Sequence, residues 1–338
     1  MIVVTSNKTS QERINEIVRY IEKHGLSAHV SMGEDRTVIG IVGKFDSQLA
    51  EHLRQMSGVE QVVRISKSYK MASREFHPAD TVIKIKGVEI GGGELVIMGG
   101  PCAVETPEQI DEIARLVKLA GGQVLRGGAF KPRTSPYSFQ GLGEEGLKIL
   151  RDVGAKHGMP VVTEVVDPRH VELVCEYADM LQLGARNMQN FVLLTEVGRT
   201  NKPVLLKRGM SATIQDFLMS AEYVVAQGNS NVVLCERGVK GFDPSTRNLF
   251  DVAAVPQIHK LSHLPIIVDP SHATGRPELI PPCALAGVAA GADGVHIEVH
   301  DKPEEAMSDG PQALLPAQYA ELMDQIRKVA AAVGKQIG

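Results

Sequence analysis

The chain repeats one short apolar pattern eight times: ELVIMGG (residues 94–100), VLRGG (124–128), PVVTE (160–164), MLQLGA (180–185), PVLLKRG (203–209), VVLCERG (232–238), PIIVDPS (265–271) and GVHIEVH (294–300). Amphipathic helical patterns, such as TPEQIDEIARLVKLAGG and PAQYAELMDQIRKVAAAVG, lie between or after these runs. Eight strand and helix patterns over about 250 residues are typical of a (β/α)8 TIM barrel, whose active site lies at the C-terminal ends of the strands. A doubly wound sheet is the alternative, but it does not need eight repeats, and no G-x-G-x-x-G follows the first strand.

Residues 1–66 show a different order of strand, helix, strand, strand, helix and strand. The elements are IVV, QERINEIVRYIEKHG, SAHVSM, TVIGIVG, DSQLAEHLRQMSG and VEQVVRI. This βαββαβ order predicts a small ferredoxin-like domain. The polar stretch SKSYKMASREFHPADT has no clear periodicity and suits a linker. We therefore expect a ferredoxin-like domain at 1–66, a linker at 67–80 and a barrel at 81–338 that opens with a short hairpin.

The composition narrows the class of protein. Of 338 residues, 43% are hydrophobic and 22% are charged, which is typical of a folded globular chain. The formal net charge of -4 leaves no global basic field to attract nucleic acid or an anionic membrane surface. No apolar run approaches the length of a membrane span, and the four cysteines are widely scattered. We expect a cytoplasmic protein that binds neither nucleic acid nor membranes.

Reactive side chains follow the ends of all eight predicted strands. In chain order they are Cys102, Arg126, Glu164, Arg186, Lys207, Arg237, Asp269 with His272, and Glu298, while Lys131 and Arg133 lie on the loop after the second strand. One such residue alone would indicate a solvated surface charge. Six cations in a ring, in a chain of net charge -4, predict a concentrated positive region at the barrel mouth. Because these like charges repel one another, we expect an anion to bind among them. Because arginine suits carboxylate and phosphate oxygens, we expect phosphorylated or carboxylated substrates.

The last strand also indicates a metal site. GVHIEVH alternates strictly, so Glu298 points into the barrel mouth, where a carboxylate needs a partner. Cys102, His272 and Glu298, with either Asp301 or Asp309, offer a thiolate, an imidazole and oxygen ligands to a transition metal. Spacing alone leaves other roles open, because Cys102 could be a small buried residue and His272 a turn residue.

Several motifs together resemble a known family. They are GPCAVE (100–105), LRGGAFKPRTSPYSFQGLG (125–143), GARNMQN (184–190), LLKRG (205–209), CERG (235–238), DPSHATGR (269–276), IEVH (297–300) and SDG (308–310). The chain is similar over its whole length to the 3-deoxy-D-arabino-heptulosonate 7-phosphate (DAHP) synthases, in the bacterial branch with an N-terminal ferredoxin-like regulatory domain. Members of this family condense phosphoenolpyruvate with erythrose 4-phosphate at the entry to the shikimate pathway. They use one divalent metal and are usually homo-oligomers, so the resemblance implies a homotetramer.

The resemblance also implies roles for individual residues. The metal, a divalent ion such as Mn, Fe, Co or Zn, would be held by Cys102, His272, Glu298 and Asp309. Phosphoenolpyruvate would be bound by Arg126, Lys131, Arg186, Lys207 and Arg237, with Glu164 in the same pocket. The sugar phosphate would meet Arg133, Thr134 and Ser135, and the catalytic residues would be Lys131, Cys102 and His272. The departures from the common family pattern, Ala103 and Ala273-Thr274, touch no position with an assigned chemical role.

Two alternatives remain at this stage. The sister 3-deoxy-D-manno-octulosonate 8-phosphate synthases share the barrel and its chemistry but take arabinose 5-phosphate, and Pro132 in KPRTS departs from their usual K-A-N-R motif. A non-enzymatic amino-acid sensor would use the barrel only as a scaffold, which the retained strand-end residues argue against. In this branch of the family the ferredoxin-like domain binds an aromatic end product, so the resemblance implies feedback inhibition by tyrosine or phenylalanine.

Overall fold

The computed structural model describes residues 1–6, 9–33, 36–43, 47–63, 68–133 and 135–338. The chain divides into two units, Met1–Asp80 with Lys260–His263, and Thr81–His259 with Leu264–Gly338. Thr134 lies outside the described residues, as do the predicted domain end at residue 66 and the predicted linker start at residue 67. Within the described ranges, no helix is long and apolar enough to cross a lipid bilayer.

The first unit contains a four-stranded antiparallel sheet with the order β2-β3-β1-β4 and two helices. Its elements are β1 (Ile2–Thr5), α1 (Gln11–Lys23), β2 (Ser27–Met32), β3 (Thr37–Val42), α2 (Ser47–Gln55) and β4 (Val59–Val63). Helix α1 begins after Ser10, whose side chain accepts a hydrogen bond from the Arg13 amide. Ile14, Ile17 and Ile21 follow helical spacing and are buried in the core of this unit. The predicted ferredoxin-like fold is confirmed.

Residues 68–80 belong to the same unit and include buried side chains. Tyr69, Met71 and Phe76 are each less than 10% exposed. A Cβ atom at Gly40 of β3 would lie 1.9 Å from the Phe76 ring, so only glycine allows this close approach. Whether this segment acts as a linker stays a prediction.

The second unit is the predicted TIM barrel. A hairpin of β5 (Ile83–Ile85) and β6 (Val88–Ile90) comes first. Eight parallel strands then close in chain order, with the last paired to the first: β7 (Val96–Gly100), β8 (Val124–Arg126), β9 (Val161–Glu164), β10 (Met180–Leu183), β11 (Val204–Lys207), β12 (Val232–Glu236), β13 (Ile266–Val268) and β14 (Gly294–Glu298). Each of the eight apolar runs of the sequence therefore forms one barrel strand.

The helices of this unit begin and end at recognisable signals. They are α3 (Pro107–Leu119), α4 (Glu144–His157), α5 (Val171–Tyr177), α6 (Phe191–Gly198), α7 (Ile214–Val225), α8 (Ala254–Leu261), α9 (Pro270–Thr274), α10 (Ile280–Ala289) and α11 (Pro316–Ala332). Thr106 caps α3, whose first residue is a proline, and Thr213 and Asp216 form a capping box on α7. Gly158 ends α4 in the left-handed conformation.

The barrel interior is a packed apolar core. Val96, Met98, Leu205 and Ile267 are fully buried there, and Ile83 of the hairpin packs in the same cluster. Burying each such side chain contributes about 1.5–3 kcal/mol. Because side chains fill the interior, the chemistry is confined to the polar groups at the C-terminal ends of the strands.

Candidate active site

Polar side chains stand at the C-terminal end of nearly every barrel strand. The last residues of β8, β9, β11 and β14 are Arg126, Glu164, Lys207 and Glu298. In the segments that follow the other four strands lie Cys102, Arg186, Arg237 and Asp269, and His272 lies in the short helix α9 that Asp269 caps. Residues up to 200 positions apart in sequence are thus brought to one rim, because closing the barrel places all strand ends side by side.

These strand ends surround a cavity of about 310 Å³. Among the described residues, seven cationic side chains line it: Arg126, Lys131, Arg133, Arg186, Lys207, Arg237 and Arg247. The predicted residues Ser135, Glu164, His272 and Asp309 line the same cavity. All six cations that the sequence predicts therefore line this cavity, together with Arg247, which the sequence did not predict.

At the ends of the neighbouring strands β11 and β12, adjacent side chains point to opposite faces, so that one of each pair lines the cavity and the other forms an ion pair outside it. Lys207 and Arg237 line the cavity. Arg208 and Glu236 face away from it, and Arg208 Nη1 lies 2.9 Å from Glu236 Oε2 and 2.7 Å from Asp251 Oδ2. This buried network joins the ends of β11 and β12, which fixes the separation of the two cavity cations. These partners do not follow from the sequence alone, although the adjacent residues in Lys207-Arg208 and Glu236-Arg237 are expected to point to opposite faces.

A thiol and two carboxylates form a potential metal-binding group at the cavity floor. Cys102, Glu298 and Asp309 each offer one ligand atom, and these atoms lie within 4.8 Å of one another. His272, the fourth predicted ligand, does not meet this distance limit with all three, but its Nε2 lies 3.2 Å from Glu298 Oε1. Asp301, the other candidate from the sequence, instead lies beside His300, with 3.4 Å between Oδ1 and the ring Nδ1. One sulfur, one imidazole nitrogen and two carboxylates are a donor set that suits a divalent transition metal.

Asp269 determines how His272 faces this group. Its Oδ2 lies 2.8 Å from His272 Nδ1, and its Oδ1 accepts from the His272 amide. Both ring nitrogens face a carboxylate, and a neutral ring carries one proton; Asp269 is the nearer partner, so we assign the proton to Nδ1 and leave the Nε2 lone pair toward Glu298. Burial lowers the pKa of His272, which favours this neutral ring. Two acceptor atoms then face each other at 3.2 Å, an arrangement that a cation between them would stabilise.

The pKa values of the thiol and the carboxylate move in opposite directions. Burial and the negative charge of Glu298 raise the pKa of Cys102 to about 11. Burial also works to raise the pKa of Glu298, but His272, Arg126 and a hydrogen bond from Gln312 together hold it at about 2. Glu298 is therefore ionised at neutral pH, whereas the Cys102 thiol keeps its proton until a cation favours the thiolate.

Lys131 lies directly over the thiol. Its Nζ is 3.0 Å from Cys102 Sγ and 3.1 Å from the Cys102 carbonyl oxygen. Burial works to lower the pKa of Lys131, but the interactions with Glu164 and with the Cys102 sulfur, which becomes negative only at high pH, outweigh burial, so the pKa is raised. The amine therefore holds a proton at the cavity floor, next to the potential metal-binding group.

The remaining cations differ in how they are neutralised. Arg126 Nη1 lies 3.1 Å from Glu298 Oε1, and Lys207 Nζ lies 2.5 Å from Asp269 Oδ2, and all four side chains are buried. Within the described ranges, Arg186 and Arg237 form no ion pair. Their charges are available to an anion that enters the cavity.

The loop after β8 contributes the outer wall. Arg133 Nη1 donates to Ser308 Oγ at 2.7 Å, and Ser135 and Pro132 line the cavity. On the opposite wall, a Cβ at Gly184 would lie 2.0 Å from Glu164 Oε1, so glycine in the GARN motif makes room for this carboxylate. The predicted contribution of Thr134 lies outside the described residues.

Two polar residues near the cavity floor were missed by the sequence analysis. Gln312 donates through Nε2 to Glu298 Oε2 at 2.5 Å and accepts through Oε1 from Arg247 Nη1 at 2.6 Å. Arg247 lies in an irregular loop and Gln312 in a three-residue 3-10 helix (Gly310–Gln312), and neither segment has a hydrophobic period that marks which side chains turn inward. Nothing in the chain pattern distinguishes Arg247 from a surface arginine.

Both units of the chain are similar to protein families whose members are known. Residues 79–334 match the DAHP synthetase I family, and residues 1–67 match the DAHP synthase ferredoxin-like domain. The chain is 50% identical to the phospho-2-dehydro-3-deoxyheptonate aldolase of Thermotoga maritima over 337 residues, and the match covers 100% of each protein. It is also 34% identical to a 2-dehydro-3-deoxyphosphooctonate aldolase of Koribacter versatilis over 255 residues, which are 68% of this chain and 89% of that protein.

Two solved structures are similar as well. The crystal structure of the Thermotoga maritima DAHP synthase superposes with a TM-score of 0.80 at 50% identity, covering 100% of this chain and 99% of the other. A truncated form of 3-deoxy-D-arabino-heptulosonate 7-phosphate synthase from the same organism superposes with a TM-score of 0.76 at 48% identity. It covers 80% of this chain and 100% of its own length.

Proposed function

The chain belongs to the DAHP synthetase I family, and we propose that it condenses phosphoenolpyruvate with erythrose 4-phosphate to give DAHP and inorganic phosphate, using a divalent metal. The observation that carries this proposal is the composition of the cavity. Seven cations of the described residues converge on about 310 Å³, above a thiol, an imidazole and two carboxylates. Two phosphorylated substrates supply the anions that such a concentration of positive charge requires. The test is formation of DAHP from the two substrates by the purified chain.

Phosphoenolpyruvate fits the inner part of the cavity. Arg126 and Lys207 are held rigid by Glu298 and Asp269, while Arg186 and Arg237 offer charges without an acidic partner in the described structure. In this arrangement the cations bind the phosphate and carboxylate of the enol ester and fix its orientation. A reaction between two substrates gains most from such positioning.

The bond-forming step leaves a negative charge that Lys131 is placed to neutralise. The enol carbon of phosphoenolpyruvate attacks the aldehyde carbon of the sugar, and the aldehyde oxygen becomes an alkoxide. Lys131 donates the proton held at Nζ to this oxygen. Water adds at the former enol carbon, and phosphate leaves as the carbon–oxygen bond breaks, so the overall reaction consumes one water.

The metal would be held by Cys102, His272, Glu298 and Asp309. When bound there, it supplies a Lewis acid that polarises the aldehyde and stabilises developing negative charge. Asp269 keeps the His272 ring in the tautomer that presents Nε2, and Gln312 orients the second oxygen of Glu298. Metal analysis of the purified chain would show whether the bound metal is Mn, Fe, Co or Zn.

Erythrose 4-phosphate is expected to be preferred over arabinose 5-phosphate. Pro132 lines the cavity, and its ring stiffens the loop that carries Arg133, which favours the shorter sugar. We expect kcat/KM for the four-carbon sugar to exceed that for the five-carbon sugar at least tenfold, about 1.4 kcal/mol of discrimination. Steady-state assays with both sugars at saturating phosphoenolpyruvate measure this ratio. A preference for the five-carbon sugar would instead make the chain an octulosonate synthase, as the more distant relatives are named.

Feedback inhibition by tyrosine or phenylalanine is expected to depend on the first unit. None of the described residues of this unit lines the cavity, and its sheet and helices form a small fold of their own. We propose that two such domains from different subunits bind the amino acid between them, in an arrangement that covers the barrel mouth, with residues 67–80 as the linker that allows the movement. Tenfold inhibition needs only about 1.4 kcal/mol of preference for the covered state.

The comparison uses the full chain and a truncation that begins at Thr81. A truncated form of a relative with 48% identity, which covers 80% of this chain, has a solved structure, and this supports the use of a truncation. We expect millimolar tyrosine or phenylalanine to inhibit the full chain and to leave the truncation active and insensitive. A full chain that ignores both amino acids would contradict the regulatory proposal and leave the catalytic one intact.

The proposal extends to assembly and location. We propose that the protein is cytoplasmic, since all four cysteines are free, as in a reducing compartment. We also propose that it forms a homotetramer, which rests on the family resemblance. Sedimentation analysis of the purified chain measures its assembly.

A further inference from the structure

The cavity holds one arginine that neither the strand-end pattern nor the family motifs singled out. Arg247 lies in the loop between β12 and α8, and its side chain lines the cavity together with Arg133, Ser135 and Asp309. The side chain is 35% exposed. Arg247 is therefore within reach of a molecule that enters from solvent.

The backbone of Arg247 is held against helix α9. The Arg247 amide donates to the Thr274 carbonyl oxygen at 2.9 Å, and the Asn248 amide donates to that of Ala273 at 2.8 Å. The buried side chain of Asn248 donates through Nδ2 to the His272 carbonyl oxygen at 2.9 Å. Because α9 carries His272, these bonds fix Arg247 relative to the potential metal-binding group.

The guanidinium of Arg247 is only partly used by the protein. Its Nη1 donates to Gln312 Oε1 at 2.6 Å and lies 3.7 Å from Asp309 Oδ1. Across the described ranges, its side-chain contacts all involve Nη1. A guanidinium carries five N–H donors, so the donors on Nε and Nη2 are available to a ligand.

Arg133 reaches the same place from another loop. Its Nη1 donates to Ser308 Oγ at 2.7 Å, and Ser308 directly precedes Asp309. Arg133 and Arg247 therefore approach the Ser308-Asp309 turn from the loops after β8 and β12. Neither is neutralised by a fully buried carboxylate, in contrast to Arg126 and Lys207. Two guanidinium groups on one small region favour a doubly charged anion, and their forked donors fit phosphate oxygens.

We propose that Arg247 binds the phosphate of the aldose phosphate together with Arg133, and that it thereby selects the length of the sugar. This inference rests on the proposed condensation. Arg247 is tied through Gln312 to Glu298, so the bound phosphate is held at a set distance from the carboxylates on the cavity floor. An aldehyde at the other end of the sugar reaches that floor only when the carbon chain has the matching length.

The test compares Arg247→Gln with the wild type on erythrose 4-phosphate and on erythrose, which lacks the phosphate. For the phosphorylated sugar, kcat/KM should fall roughly 10- to 100-fold, the range expected for losing charge-assisted hydrogen bonds. For erythrose, kcat/KM should change less than about twofold, and so should KM for phosphoenolpyruvate, because neither involves the lost interaction. Equal losses with both sugars would show that Arg247 acts only by supporting Gln312 and Asp309, and would overturn the proposal.

Two further variants control the result. Arg247→Lys keeps the charge but loses the fork, so it should fall between the wild type and Arg247→Gln and serves as the test if the glutamine variant does not fold. Arg276→Gln changes an exposed arginine just after α9 and should match the wild type. Calorimetric titration with erythrose 4-phosphate keeps the two proposals separate. A wild type that forms no product contradicts the proposed condensation, whereas unchanged sugar-phosphate affinity in Arg247→Gln contradicts the role of Arg247.

Discussion

Replacing Cys102 with alanine is expected to lower metal-dependent turnover at least about 1000-fold, which corresponds to about 4 kcal/mol of lost transition-state stabilisation. The substitution removes the only sulfur of the potential metal-binding group, whose ligand atoms lie within 4.8 Å of one another. It also removes the partner of Lys131 Nζ at 3.0 Å. Metal analysis after gel filtration should show a clear loss of bound metal in the variant.

The matched control for this experiment is Cys283→Ala. Cys283 lies in α10 and does not line the cavity, so its removal should leave both metal content and turnover unchanged. In the wild type, a chelator should abolish activity and a divalent transition metal should restore it. Full metal-dependent turnover in Cys102→Ala would show that the ligand assignment is wrong.

Asp269→Ala is expected to destabilise the barrel by about 3–5 kcal/mol, the usual cost of removing one partner of a buried ion pair. Asp269 is fully buried, and its carboxylate contacts Lys207 Nζ at 2.5 Å and His272 Nδ1 at 2.8 Å. The variant leaves Lys207 as a buried cation without its partner and removes the side-chain cap of α9. The midpoint of thermal unfolding should fall by roughly 6–20 °C for a domain of this size.

The matched control is Asp324→Ala. Asp324 forms an exposed pair with Arg327 one helical turn away, and such pairs contribute little, so the melting midpoint should stay close to that of the wild type. Asp269→Asn keeps the shape of the side chain but removes its charge. It should recover part of the stability while still disturbing the tautomer of His272 and hence turnover. An unchanged melting midpoint in Asp269→Ala would contradict the role assigned to this carboxylate.

The stabilising effect of Asp269 should also depend on pH. Burial works to raise the pKa of Asp269, but His272 and Lys207 outweigh it and hold the pKa well below the ordinary value of 3.8. A carboxyl group whose pKa is lower in the folded state stabilises the fold above its unfolded pKa, and this contribution declines as the pH falls toward the folded pKa. The difference in melting midpoint between the wild type and Asp269→Asn should therefore be largest near neutral pH and should shrink below about pH 4.

Strand positions and strand-end residues could be predicted because strands obey a simple period. Side chains alternate between two faces, and each apolar run ends where the alternation meets glycine, proline or charge. Arg126, Lys207, Glu298 and their neighbours follow from this rule together with the knowledge that parallel strand ends share one rim. The ferredoxin-like unit was predictable for the same reason, since its helices and strands have clear periods.

The partners of these residues could not be predicted, because a period assigns a face and not a contact. Asp269 was visible as a strand-end residue, but its position between Lys207 and His272 depends on how β11 and β13 align on either side of β12. The choice of Asp309 over Asp301 was open on spacing alone, and resemblance supplied it. Loop folding then places Asp309 beside Cys102, with 3.5 Å between Oδ2 and Sγ.

The contact between Arg247 and Gln312 is one that no local sequence pattern predicts. The two residues lie in short segments without periodicity, 65 residues apart in sequence, and the folded chain brings them within hydrogen-bonding distance. Helices and strands follow the periodicity of the local sequence, because backbone geometry sets which side chains share a face. For this reason the barrel, the ferredoxin-like unit and the ring of strand-end charges can be predicted from the sequence. Contacts such as Arg247 with Gln312 or Cys102 with Asp309 exist only after the barrel closes, because closure brings distant loops within hydrogen-bonding distance and leaves no signal in either segment alone.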